Sequence, residues 1–122
     1  MNMNKYKLGK HGEKIAEKYL RGQGVKIISK NYFTRFGEID LIAQDDDAIV
    51  FIEVKFRTND NYGLAVESVT DKKWEKLIRS AEHYLMDTNL FDSNCRFDVL
   101  SIDLCRKTGL YRIDWLKNQY FC

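Results

Sequence analysis

Residues Phe36–Arg57 read F-G-E-I-D-L-I-A-Q-D-D-D-A-I-V-F-I-E-V-K-F-R. Two apolar, β-branched runs flank an acidic turn, Asp45-Asp46-Asp47, and that pattern predicts an antiparallel hairpin. The same runs carry Glu38, Asp40, Glu53 and Lys55. A charge in a strand packed on a core loses its water, so such residues are expected to be used. Side chains alternate between faces of a strand, which puts Glu53 and Lys55 together with Phe51 and Arg57, and Glu38 and Asp40 together with Ile42. If Asp46-Asp47 is a two-residue loop, positions whose numbers add to 93 face each other, Asp40 with Glu53 and Glu38 with Lys55. Opposed Cβ atoms lie about 4.5–5.5 Å apart. Two carboxylates that close repel unless a cation sits between them or one keeps its proton. Mg²⁺ takes one or two carboxylates and keeps several waters, so it fits such a pair. Lys55 beside them would hold or activate a water and offset charge developing on a phosphate. An ion-pair network, with Lys55 on Glu38 or Glu53 and Asp40 held by backbone amides, accounts for the same spacing. The three-aspartate run lacks the glycine and distal glutamate of a calcium loop and is read as a solvated turn.

The rest of the chain frames this hairpin. Asn4 to Arg21 is predicted helical, with Leu8, Ile15, Ala16, Tyr19 and Leu20 on one stripe, Asn4 as N-cap and Gly22 and Gly24 as stop signals. Its lysines form either a solvated face or a phosphate-facing one. Gly9 and Gly12 each cost a helix about 1 kcal/mol against alanine, so an irregular first turn or a close neighbour is expected there. Strands are predicted over Val25–Phe33, Glu38–Gln44 and Ala48–Arg57, with a turn over Thr34–Gly37. Asn59–Gly63 has loop composition. A second helix starts at an N-cap Thr70 and buries Trp74, Leu77, Ile78, Ala81, Tyr84 and Leu85, a stripe read as core. Two further strands, Phe97–Leu104 and Leu110–Trp115, follow a loop over Asn89–Asn94. Helix, three strands, helix, two strands predicts an α/β mixed sheet flanked by helices.

With 122 residues and no Pro/Gly/Ser-rich linker, one domain spanning 1–122 is expected. A 44% apolar content suffices for a core without disulfides or metal. A net charge of +2 permits nucleic-acid binding without arguing for it. Cys95, Cys105 and Cys122 match no zinc or redox spacing and are read as reduced thiols. No signal-like or membrane-spanning run is found, so a soluble, cytoplasmic protein without membrane partners is expected.

The segments G-E-I-D-L-I-A and F-I-E-V-K-F-R, in that order, resemble the bacterial YraN-type family. G-E-K-I-A-E-K-Y-L-R-G-Q-G resembles the family's N-terminal helix, A-V-E-S-V-T-D-K-K-W-E-K-L-I-R-S-A-E-H-Y-L its central helix and R-F-D-V-L its late strand. The family is placed in the restriction-endonuclease-like PD-(D/E)xK superfamily and is similar to archaeal Holliday-junction resolvases. The resemblance implies a restriction-endonuclease-like fold with a central mixed five-stranded sheet flanked by helices. It also implies Asp40 and Glu53 as ligands of Mg²⁺ or Mn²⁺, the Val54 carbonyl as a further ligand, Lys55 as the catalytic lysine and Glu13 as a helix-borne glutamate reaching the same site. The proline of the superfamily's nominal motif is absent, with Ile39 before Asp40.

Arg35, Arg57 and Lys73 are candidate nucleic-acid contacts, although each also reads as a surface cation. Glu67 and Lys73 are read as surface residues first and as residues bordering the site second, and Glu38 is placed at a strand entrance or paired with Lys55. His11 and His83 have no ligand spacing and are read as surface or boundary residues. Asp98 is read as a sheet-edge carboxylate with a local partner and is given no role. The function expected is a nucleic-acid-binding, metal-dependent endonuclease that hydrolyses DNA phosphodiester bonds, with DNA implied by the resemblance. A homodimer follows if both strands are cut. The rivals are a non-catalytic DNA-binding or protein-interaction module of the same fold, acting in recombination, repair or DNA uptake, and a structural protein whose charges form an ion-pair network.

Overall fold

The computed structural model of the chain describes residues 5–59 and 70–119. The elements are α1 (Lys5–Gly22), β1 (Lys26–Thr34), β2 (Gly37–Asp45), β3 (Ala48–Asn59), α2 (Asp71–Asp87), β4 (Cys95–Cys105) and β5 (Tyr111–Leu116). This is the expected order, with strand boundaries moved by at most two residues. Asn4, the proposed N-cap, lies outside the described residues, as do Glu67 and most of the loop expected over Asn59–Gly63.

The five strands form one mixed sheet in the order β1-β2-β3-β4-β5. β3 and β4 are parallel, and every other neighbouring pair is antiparallel. A parallel pair needs a crossover, and α2 lies in the connection between β3 and β4. Thr70 caps α2, its hydroxyl accepting from the Lys73 amide at 3.2 Å.

The sheet is covered on both faces. Along β3, Ile49 and Phe51 pack with Trp74, Leu77, Ala81, Tyr84 and Leu85 of α2, together with Phe97 and Val99 of β4. The alternate residues Val50 and Ile52 pack with Ala16 and Leu20 of α1, together with Leu100 and Ile102 of β4. The stripe of Trp74 and Tyr84 is therefore core. Gly12 explains one of the two odd helical glycines. A Cβ there would stand 2.6 Å from Phe56 Cβ, so α1 approaches β3 more closely than any other residue allows.

The hairpin register is the expected one, running from Asp45↔Ala48 to Leu41↔Ile52. The ladder ends there, and the facing of Asp40 with Glu53 and of Glu38 with Lys55 is not part of it. Strict alternation also fails at Asp40. Ile39 and Ile42 both pack on the α2 side, whereas Leu41 and Ala43 pack on the α1 side. Glu38, Asp40 and Ile42 thus do not share one face, contrary to the period-two expectation. The neighbouring strand breaks at the same level. Asn31, between the pairs Lys30↔Leu41 and Tyr32↔Ile39, has a left-handed φ of 52°. Asparagine tolerates that conformation better than most residues.

Asp98 corrects a second expectation. It is wholly buried in β4, an interior strand, rather than at a sheet edge. Both its oxygens accept from Arg96 Nε, at 3.1 and 3.2 Å. It also accepts from Trp115 Nε1 and the Asn118 amide, each at 2.9 Å. Arg96 reaches on to Asp45 at the hairpin turn, at 2.8 Å. Arg96 is a local partner, two residues away on β4, whereas Trp115 and Asn118 come from the end of β5 and just beyond it, a contact that spacing along β4 does not show. No described helix is long and apolar enough to cross a membrane.

Candidate metal centre

Three elements converge beyond the end of the β2–β3 ladder. β2 brings Glu38 and Asp40, β3 brings Glu53 and Lys55, and α1 brings Glu13 where Gly12 lets the helix close on Phe56. One carboxylate oxygen from each of Glu13, Glu38 and Asp40 lies within 4.8 Å of the other two. Asp40 points along the sheet toward β3, where its Oδ2 accepts from the Val54 amide at 2.8 Å. That bond replaces the ladder hydrogen bond that would otherwise satisfy this amide.

Burial pushes the Asp40 carboxyl up to about 8, and the charge of Glu53 adds to this. Glu38 and Glu13 push in the same direction, and the Val54 hydrogen bond only partly opposes them. Glu38 is also raised, by burial first and then by Glu13, with Lys10 opposing. Lys10 lies 3.7 Å from Glu13. The charges acting on Glu38 are those of Glu13, Lys10 and Glu53, so the expected pairing with Lys55 gives way to membership of the carboxylate group. Sequence placed Glu38 at the margin because strict alternation and an unbroken ladder set it across from Lys55.

Glu53 is almost fully buried and meets Lys73 Nζ of α2 at 2.5 Å. Lys73 also stands near Lys55, and the two positive charges oppose each other. Burial lowers the Lys55 ammonium and the nearby Lys73 charge lowers it further, against Glu53. Burial likewise opposes a charged Lys73, but its hydrogen bond to Glu53 prevails and the group is raised. Lys73 therefore sits on the centre itself. A lysine in the first turn of a helix is disfavoured by the helix dipole, and that misplacement was the available signal for a specific partner.

The other candidates lie at differing distances from the centre. Arg57 acts electrostatically on Lys55. Arg35 stands at the β1–β2 turn, 4.9 Å from the Phe36 ring centroid, and lines a groove of about 670 Å³ along α2 with Glu75, Arg79 and His83. It is not among the charges acting on Asp40, Glu38 or Lys55. His11 is exposed with its ring edge-on to Phe56, and His83 is exposed beside Tyr32.

The donor set fits a hard divalent cation. The convergent group is made of carboxylate oxygens, which suit Mg²⁺, Mn²⁺ or Ca²⁺ rather than zinc or copper.

The model of uncharacterised protein family UPF0102 matches residues 12–102. The chain belongs to this family. It is the YraN-type family that the ordered motifs resemble, and the matched stretch contains Glu13, Glu38, Asp40, Glu53, Lys55 and Lys73. A UPF0102 protein of Vibrio parahaemolyticus serotype O3:K6 is 41% identical over 116 residues, covering 94% of this chain and 93% of that protein. One of Clostridioides difficile strain 630 is 42% identical over 118 residues, covering 97% of this chain and all of that protein. One of Pelotomaculum thermopropionicum is 40% identical over 113 residues, covering 93% of this chain and 94% of that protein.

Proposed function

We propose that this UPF0102 protein is a metal-dependent endonuclease that hydrolyses DNA phosphodiester bonds. The observation that carries the reading is the convergence of Glu13, Glu38 and Asp40 within 4.8 Å of one another, next to the lysine-bearing end of β3. Carboxylates alone would make a centre that repels DNA. Carboxylates around a cation, with Lys55 beside them, make one that accepts a phosphate.

In this reading Asp40 holds Mg²⁺ or Mn²⁺ together with Glu13 and Glu38. Glu53 and the Val54 carbonyl, the ligands that the family resemblance adds, stand on the adjoining strand. The ion supplies Lewis-acid polarisation of a phosphoryl oxygen and a lowered pKa for a water. Val54 fixes Asp40 through its amide, so the carboxylate is held in place before any ligand arrives. Lys55 orients the attacking water and donates hydrogen bonds to phosphoryl oxygens as charge builds up on them. Arg57, two residues along β3, whose charge acts on Lys55, is a further candidate phosphate contact. A cut of both strands would require two copies of the chain.

The test is cleavage of end-labelled duplex, single-stranded and four-way DNA with Mg²⁺ or Mn²⁺. Cleavage of at least one substrate is expected, abolished by EDTA and reduced by at least about 10²-fold in Asp40→Asn. Metal-stimulated binding with no cleavage by the wild-type chain would overturn the catalytic reading in favour of a binding module. That rival is favoured by one observation, the buried pairing of Glu53 with Lys73, which leaves this carboxylate already satisfied.

A further inference from the structure

β1 and β2 break step together beside the centre. The pairs Lys30↔Leu41 and Tyr32↔Ile39 leave one residue between them on each strand, Asn31 on β1 and Asp40 on β2. Residues two apart in a strand normally share a face. Here Lys30 meets Glu17 of α1 at 3.4 Å, whereas Tyr32 packs edge-on to Tyr84 of α2 with ring centroids 5.3 Å apart. Their partners divide the same way, Leu41 into the α1-side core and Ile39 into the α2-side core. Both strands therefore turn over at one level, through Asn31 and Asp40. On β2 this turn frees Asp40 to reach along the sheet to the Val54 amide, at 2.8 Å. On β1 the matching turn is made by Asn31, with its left-handed φ of 52°. Glycine makes such a turn with the least strain, yet β1 has a side chain there. The Asn31 Oδ1 is buried and accepts no hydrogen bond. Among the described residues it is the one buried side-chain nitrogen or oxygen without a partner. Buried acceptors are as a rule matched with a donor from the protein or from an ordered water.

We propose that the Asn31 Oδ1 faces Asp40 and accepts a hydrogen bond from a water of the divalent ion held there, which makes Asn31 a positioning residue of the centre. This rests on the metal reading above and deepens it. Mg²⁺ keeps several of its waters when carboxylates bind it, and each of those waters has protons to donate. β2 lies between β1 and β3, so Asn31 holds a water from one side of Asp40 while the strand of Glu53 and Lys55 stands on the other. Asn31 then serves the centre twice. Its backbone turns β1 over in step with β2 where Asp40 leaves the regular alternation, and its side chain anchors a water of the ion. Glycine would supply only the first.

The experiment separates the backbone from the oxygen. Asn31→Gly keeps the left-handed turn and removes the side chain, whereas Asn31→Asp keeps the turn and an oxygen. For the wild type and both variants, Mn²⁺ affinity is measured by titration calorimetry, and the urea midpoint is measured without metal. Asn31→Gly should bind Mn²⁺ about 10–100-fold more weakly, the usual effect of losing a group that holds a metal's surroundings, with little change in the metal-free midpoint. Asn31→Asp should bind at least as tightly as the wild type. Wild-type affinity in Asn31→Gly, or a loss of affinity accompanied by a matching fall in the metal-free midpoint, would assign Asn31 to the backbone turn alone. Either result overturns the proposal and leaves the metal reading intact. Weaker binding by Asn31→Asp than by the wild type overturns it as well, and keeps the test decisive if Asn31→Gly does not fold. Absence of binding by the wild type at millimolar Mn²⁺ would overturn both readings.

Discussion

At the scale of single residues, Asp40 concentrates the physics of the centre. Its carboxyl is pushed up to about 8 by burial and by Glu53, whereas in the unfolded chain it titrates near 3.9. The native state therefore binds more protons than the unfolded state between those values. Stability from this group is fully present below the unfolded pKa and is lost as pH rises through about 8. Without divalent ions the melting temperature should fall as pH rises from about 5 to 8, a window set by the Asp40 values. Asp40→Asn keeps an oxygen for the Val54 amide and removes the charge, so it should flatten this dependence and raise the melting temperature at pH 8. Thermal scans across pH check it. A lower melting temperature for Asp40→Asn at pH 8 would favour the ion-pair network, in which the ionised carboxylate stabilises the fold. Saturating Mn²⁺ should abolish the wild-type decline, because the ion replaces the proton.

Elements bring the centre together, and the tightest fit is between α1 and β3. A methyl group at Gly12 would have to displace the Phe56 Cβ, 2.6 Å away and fixed to the backbone. Overpacking of this kind costs about 1–3 kcal/mol, and the gain from alanine in a helix is only about 1 kcal/mol. Gly12→Ala should therefore lower the denaturation midpoint. Shifting α1 also shifts Glu13, so Mn²⁺ affinity should weaken in the same variant. Adding Phe56→Ala to Gly12→Ala should cost less than the sum of the two single changes, measured as a coupling by urea denaturation. Additive costs would mean that α1 does not press on β3 at this point. The β1 edge is managed separately. A register shift between Ile27 and Ser29 and the left-handed Asn31 interrupt it, which discourages pairing with another chain.

Across the whole molecule, the carboxylate cluster and the Asp98 node are neighbours in the sheet, Asp98 standing across from Ile52, one residue before Glu53. Asp98 gathers Arg96, Trp115 and Asn118, and through Arg96 it reaches the Asp45 turn. The hairpin that carries Asp40 and Glu53 is thereby tied to the last strand of the sheet. Removing one partner of a buried ion pair costs about 3–5 kcal/mol, since the other charge is left without compensation. Asp98→Ala should lose about that much in chemical denaturation. Mn²⁺ affinity of the folded fraction should change little, because the Asp98 carboxylate is held by Arg96, Trp115 and Asn118, none of which belongs to the carboxylate cluster. A metal affinity that falls in step with stability would mean that the node positions the centre after all.

The sequence by itself determined the element order, the hairpin register from Asp45↔Ala48 to Leu41↔Ile52, the Thr70 cap and the split of apolar residues between two helix faces. Those follow from local periodicity and turn chemistry, which a linear string records. It also marked Glu13, Asp40, Glu53 and Lys55 for attention. Only the tertiary structure decided which carboxylates stand together. The ladder stops at Leu41↔Ile52, Asp40 turns along the sheet to Val54, Glu38 joins Glu13, and Lys73 arrives from α2 to take Glu53. Each of those contacts joins segments distant in the chain or depends on a local departure from period two. Neither leaves a mark in the spacing of residues, so the charges that read as two facing pairs in sequence are in space a triple of carboxylates and a Glu53–Lys73 ion pair.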